Sequence, residues 1–150
     1  MDKKIIYTLV IIFVVFASGT LYFYLTNKTP APEINQGLYG KVTLNSGNCM
    51  PGAGGCKTSS VSRKIYIREP VIIKAIEITY LKEKTDLVKQ IKSSGNGNYQ
   101  VELPPGTYSV FIEDYSKEYC NSFGGQGEVC QVTVGDGMVE YNINIDHAVW

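Results

Sequence analysis

Histidine is almost missing from this chain, and His147, close to the C-terminus, is the only one. A Ser-His-Asp or Cys-His nucleophilic site needs an imidazole held beside its nucleophile. No motif argues for such a partner, so His147 reads as a polar residue of the tail. An excess of charge is missing too. Lys plus Arg and Asp plus Glu are both 14, and setting aside Lys3, Lys4 and Lys28 on one side and Asp2 and Glu33 on the other leaves 11 against 12 from residue 37 onward. Affinity for nucleic acid comes from neutralised phosphates, so a near-neutral domain is expected to have no nucleic-acid partner. The Gly-rich stretches lack the Lys and the strand-to-helix context of a phosphate loop. Glu113 and Asp114 are adjacent and would face opposite ways on a strand, which makes no acid/base pair. No enzyme activity and no cofactor is expected.

Charge is also absent from Ile5 to Leu25, a stretch preceded by Lys3 and Lys4 and interrupted only by Thr8, Ser18, Gly19 and Thr20. As a helix it would span roughly 30 Å, the thickness of a bilayer's hydrocarbon core. Tyr22 and Tyr24 fall near its far end, where amphipathic rings favour the interface, and the lysines before it place the N-terminus inside and the rest outside. A cleaved signal peptide is the rival reading, with Ala17-Ser18-Gly19 as the cleavage site. The apolar run continues through Leu25 beyond that site, longer than a signal's apolar region, and this favours an uncleaved anchor. Residues 1–4 are then a cytoplasmic stub, 5–25 a transmembrane helix, 26–36 a Pro-containing linker with a sequon at Asn27, and 37–150 an extracytoplasmic domain.

No cysteine precedes that domain. Cys49, Cys56, Cys120 and Cys130 all follow the apolar segment, an even number that suits an oxidising compartment. Three pairings are open, and the two local ones are favoured because each brackets a glycine-rich stretch flexible enough to close. Their spacings are not those of zinc modules, and no metal is expected.

What the domain does contain is alternation. Leu38, Gly40, Val42 and Leu44 share one face of a run, with Tyr39, Lys41 and Thr43 on the other. Similar period-2 runs are Ile65 and Ile67; Ile76, Ile78 and Tyr80; Val101 and Leu103; Tyr108, Val110 and Ile112; Cys130, Val132 and Val134; and Val139 to Ile145, with a less regular one at Leu87 to Lys92. Val71 to Leu87 could hide a short helix. Turn residues separate the runs: Gly95-Asn96-Gly97-Asn98, Pro104-Pro105-Gly106, and Gly135-Asp136-Gly137 as a tight hairpin between the last two strands. Pro70 should end the strand before it. An all-β, seven- or eight-stranded antiparallel β-sandwich is predicted, preceded by one N-terminal transmembrane helix.

The stretch Gly97-Asn98-Tyr99-Gln100-Val101-Glu102-Leu103-Pro104-Pro105-Gly106-Thr107-Tyr108-Ser109-Val110 resembles the carboxypeptidase regulatory-like domain, a transthyretin-like (prealbumin-like) β-sandwich. The family's marks are a Gly-x-Tyr strand, a Leu-Pro-x-Gly-x-Tyr turn and a following apolar strand. The resemblance implies that Leu103 and Tyr108 point inward on either side of the turn, with Gly106 in a conformation that a side chain would resist. Asn45 to Ser62 departs from the family as a long, Cys-containing loop. The fold does not fix a function. Pilin-type surface domains of similar fold carry an intramolecular isopeptide, for which Lys41, Asn142 or Asn144, and Glu102 or Glu113 could be nominated. Alternation puts all of them on the solvent face, so none is expected.

Aromatic residues outside the inward sets are the remaining signal. Tyr39, Tyr66, Phe111 and Tyr115, with Phe123 in the second Cys loop, are candidates for an exposed recognition surface, and the alternative is cross-strand pairs that only stiffen a sheet. The expected function is a non-catalytic, membrane-tethered interaction domain that binds a protein or an envelope polymer. The alternative is a structural accessory subunit of a membrane complex, associating through the transmembrane helix.

Overall fold

β1 (Gly37–Asn48) begins where the alternation begins, and its apolar positions Leu38 and Val42 are fully buried. The structure is a computed structural model that describes residues 33–52, 54–72 and 85–150. The expected anchor at 5–25, the sequon at Asn27, the run Ile76 to Tyr80 and most of the ambiguous stretch from Val71 to Leu87 lie outside the described residues. Among the described residues no helix is long and apolar enough to cross a membrane. The last linker residues lie against the domain, with Glu33 N–H donating to Gln100 Oε1 (2.7 Å) and Gln36 Nε2 to the Leu103 carbonyl (3.1 Å).

The described part of residues 31–150 is all-β, with two five-stranded sheets. One holds β1, β2 (Lys57–Ser60), β5 (Asn98–Glu102), β9 (Met138–Glu140) and β10 (Ile143–Val149). The other holds β3 (Lys64–Arg68), β4 (Leu87–Lys92), β6 (Gly106–Asp114), β7 (Lys117–Tyr119) and β8 (Gln131–Val134). The long strand of each sheet meets two short ones in turn. β1 pairs antiparallel with β5 and then β2, and parallel with β9 and then β10, while β6 pairs antiparallel with β3, β8 and β7.

Three expectations are corrected. First, the described residues form ten strands rather than seven or eight, and the pairing is not purely antiparallel, because β9 and β10 both run parallel to β1. Second, Gly135-Asp136-Gly137 is not a hairpin turn: β8 pairs with β6 and β9 with β1, so the segment carries the chain from one sheet to the other. Third, Asn45 to Ser62 is mostly a hairpin, since β1 continues to Asn48 and pairs with β2. Its residues there are polar on both faces, with Thr58 Oγ1 donating to Asn45 Oδ1 (2.8 Å), so no apolar alternation marked the strand. Pro70 stands two residues beyond the end of β3 at Arg68, as its missing N–H requires.

The larger hydrophobic core draws on both sheets, with Leu38, Val42, Val101 and Ile145 from one and Ile65, Ile67, Val110, Ile112 and Val134 from the other. Burying a side chain of this size stabilises the fold by about 1.5–3 kcal/mol. Two tyrosines close the core with backbone bonds. Tyr108 Oη donates to the Pro104 carbonyl (2.9 Å), and Tyr99 Oη donates to the Tyr141 carbonyl. Burial pushes the Tyr99 and Tyr141 phenols above the ordinary tyrosine range. Leu103 and Tyr108 point inward as the resemblance implies, but Gly106 does not adopt a positive φ. A Cβ there would lie 3.2 Å from Tyr108 Oη and 3.4 Å from its ring, so the glycine makes room for the tyrosine. At Gly40 a Cβ would come within 2.2 Å of the Tyr141 carbonyl, which locks β1 against the junction of β9 and β10.

Both disulfides are the local ones, Cys49–Cys56 across the β1–β2 hairpin and Cys120–Cys130 beneath the loop that follows β7. The second joins Val71, Phe111 and Val129 in a smaller buried cluster. Ser109 ties the covering segments to β6, accepting from Val71 N–H (2.9 Å) and donating to the Val129 carbonyl (2.7 Å). Closing a loop of this kind contributes roughly 2–3 kcal/mol in the chain-entropy picture.

Candidate functional site

β6 and β7 are joined by two residues, Tyr115 and Ser116, between the paired Asp114 and Lys117. Both have positive φ, 47° and 61°. Two-residue hairpins with both centres at positive φ match the twist of the strands and favour Asn-Gly, because an L side chain in the left-handed region costs roughly 1–2 kcal/mol. Here a tyrosine and a serine bear that cost. The Tyr115 side chain is nonetheless 74% exposed.

The turn is held from the other sheet. The Tyr115 ring stacks on His147 of β10, with centroids 5.0 Å apart and planes 15° from parallel. His147 Nε2 in turn lies 2.9 Å from Asp114 Oδ2, a carboxylate only 3% exposed. His147 is therefore no tail residue: β10 continues past Ile145 to Val149 and brings the imidazole against the end of β6. Asp114 is the inward member of the adjacent Glu113-Asp114 pair, whose two side chains face opposite ways. Glu118 is buried in a two-point ion pair with Arg68 (2.6 and 2.7 Å), and the charge and hydrogen bond of Glu118 raise the guanidinium's pKa further. Removing one partner of such a pair costs about 3–5 kcal/mol.

Beside the turn lies an open groove of about 440 Å³. It is lined by Glu113, Tyr115 and His147, by Arg63 just before β3 and Lys64 at its start, and by Lys92 at the end of β4. The Arg63 segment is firmly braced. Buried Ser93 accepts from Arg63 N–H (2.9 Å), the Arg63 carbonyl accepts from Ser93 N–H (3.0 Å), and Ser62 Oγ donates to the Ser93 carbonyl (2.7 Å). Lys64 Nζ binds Glu113 Oε1 (2.9 Å), and that bond and charge raise the lysine's pKa. Arg63 spends one donor, Nη1, on the Ser62 carbonyl (3.0 Å). Among the described residues neither Arg63 nor Lys92 meets a carboxylate.

The five aromatic candidates do not form one surface. Phe111 is 1% exposed, because β6 is a central strand whose outer face is covered by Val71 and the Cys120–Cys130 loop. Alternation reads only one face of a strand as buried, and here both are. Tyr66, opposite Phe111 in register, is half-buried against the same cluster, and Tyr39 is half-buried in the other sheet. Phe123 is 42% exposed within the second disulfide loop, where it bridges to Val129. Of the five, only Tyr115 lines the groove. Arg63, Lys92 and His147 were missed because they come together only through tertiary pairing.

A second cleft, of about 220 Å³ and mainly apolar, opens beneath Cys120 and Cys130 between β6 and the junction of β9 and β10. Asn142 and Asn144, nominated for an isopeptide, serve the ladder instead. Asn142 Oδ1 accepts from Lys41 N–H (2.8 Å), and Asn144 Nδ2 donates to Thr43 Oγ1 (3.0 Å). Among the described residues no three His, Cys, Asp or Glu side chains converge as metal ligands would. Compared with protein-family models, with curated proteins and with solved structures, the chain matches none of them.

Proposed function

We propose that this chain is a non-catalytic recognition domain, a β-sandwich of transthyretin-like type, held at the outer face of a membrane by residues 5–25 and binding a protein or envelope polymer through the groove at the β6–β7 turn. The observation that carries this reading is the Tyr115-Ser116 turn. Two side-chain-bearing residues sit in the left-handed region, and the ring they present is turned to water rather than to the core. Backbone strain of this kind concentrates at sites that bind. The export half of the reading is supported by two closed disulfides in a chain whose cysteines all follow the apolar segment. The sandwich type is supported by the shared core and by Leu103 and Tyr108 facing it from either side of the Pro-Pro-Gly turn.

Topology is tested by labelling intact cells that express the full chain with a membrane-impermeant amine reagent. Lys57 and Lys92, both exposed, should be modified on intact cells, and Lys3 and Lys4 only after lysis. The opposite pattern would sink the tether and the extracytoplasmic reading together.

A further inference from the structure

We propose that the groove beside Tyr115 takes an acidic saccharide, a sugar ring lying on the open face of Tyr115 with its carboxylate or phosphate held by Arg63 and Lys92. This rests on the reading of the groove as a recognition site and names its ligand. One face of Tyr115 is occupied by His147, and at 74% exposure the opposite face lies in water. A sugar offers a flat patch of C–H groups bordered by hydroxyls, which suits an aromatic face surrounded by polar groups. The other lining residues are charged or hydroxylated, Lys64, Glu113 and Ser116 among them. A peptide's apolar anchor would need an apolar pocket, which a lining of charged and hydroxylated side chains does not supply.

Charge then selects the kind of sugar. The Lys64 ammonium is matched by the Glu113 carboxylate, and the buried Asp114 carboxylate is engaged by His147 Nε2. Arg63 and Lys92 also line the groove and meet no carboxylate among the described residues. A guanidinium fork with free donors fits the two oxygens of a carboxylate or phosphate, and a lysine adds a point charge. The Ser93 bonds fix the Arg63 backbone before any ligand arrives, so less ordering is needed on binding. Two cations are too few for a nucleic-acid backbone, whose binding proteins neutralise many phosphates.

Calorimetry on the full-length chain in detergent micelles tests this with three probes: tetragalacturonate, its fully methyl-esterified form, and mannose 6-phosphate. The acidic tetramer, the phosphate or both should bind, which identifies the anion, and the ester should bind about tenfold more weakly or not at all. Tyr115→Ala and Arg63→Gln should each weaken binding by about tenfold, and Lys92→Gln serves if either variant misfolds. Equal binding of acid and ester, binding that survives these substitutions, or no binding of either acidic probe would overturn the saccharide assignment. The reading of the turn as a recognition site fails separately, if replacing Tyr115-Ser116 with Asn-Gly clearly lowers the stability of the chain.

Discussion

At one end of β6 the chain turns through Pro104-Pro105-Gly106, and at the other through Tyr115-Ser116. The first turn uses residues that favour its geometry, with proline fixing φ and glycine leaving room for the Tyr108 ring. Leu103 and Tyr108 on either side of it are buried, and Tyr108 Oη seals it to the Pro104 carbonyl. The second turn uses residues that resist its geometry, exposes its aromatic ring, and is held by an imidazole from the other sheet. Local preference and tertiary structure agree at the first end and conflict at the second. Where they agree the residues serve the fold, and where they conflict a function is the physical reason to look for.

The contrast can be broken or sharpened by substitution. The largest effect is expected from Leu103→Ala at the first turn, which should cost about 2–5 kcal/mol in thermal or denaturant unfolding, since the side chain is fully buried. Ligand binding in the groove, measured below the transition, should be unchanged. Tyr108→Phe should cost less, about 0.5–1.5 kcal/mol, by removing a single hydrogen bond while keeping the ring. At the second end, Glu113→Gln should leave thermal stability nearly unchanged, because the pair with Lys64 is solvated. Its clearer readout is the lysine. The raised Lys64 pKa means that the pair's contribution is present below the ordinary value of 10.5 and is lost as pH rises through the folded-state value. Titration of Lys64 by NMR should show its pKa falling back toward 10.5 in the variant.

Much of the fold was legible because short-range rules governed it. The inward residues of β1, β3, β5 and β6 followed the period of two, Pro70 lay beyond its strand, and glycine-rich spacers pointed to the two local disulfides. What was not legible depended on partners distant in sequence. β2 and β7 are short and polar, and β7 carries Glu118, whose burial makes sense only once Arg68 is beside it. The parallel pairing of β9 and β10 with β1 leaves no local trace. Phe111 misled because alternation says nothing about a second layer over the outer face. Of the candidate site, Tyr115 was legible as an aromatic outside the inward set, while His147, Asp114 and Lys92 gather around it from β10, β6 and β4, and Arg63 from the position just before β3.

The most direct test of this account replaces Tyr115-Ser116 with Asn-Gly, the pair that the turn geometry favours, and compares thermal unfolding of the full-length variant and parent in detergent. Relief of two unfavourable φ angles contributes roughly 1–2 kcal/mol per residue, against about 0.5–1.5 kcal/mol for the lost stack on His147. The account predicts a variant at least as stable as the parent that no longer binds in the groove. A variant that is clearly less stable, or one that binds as before, would mean that Tyr115 and Ser116 serve the fold after all.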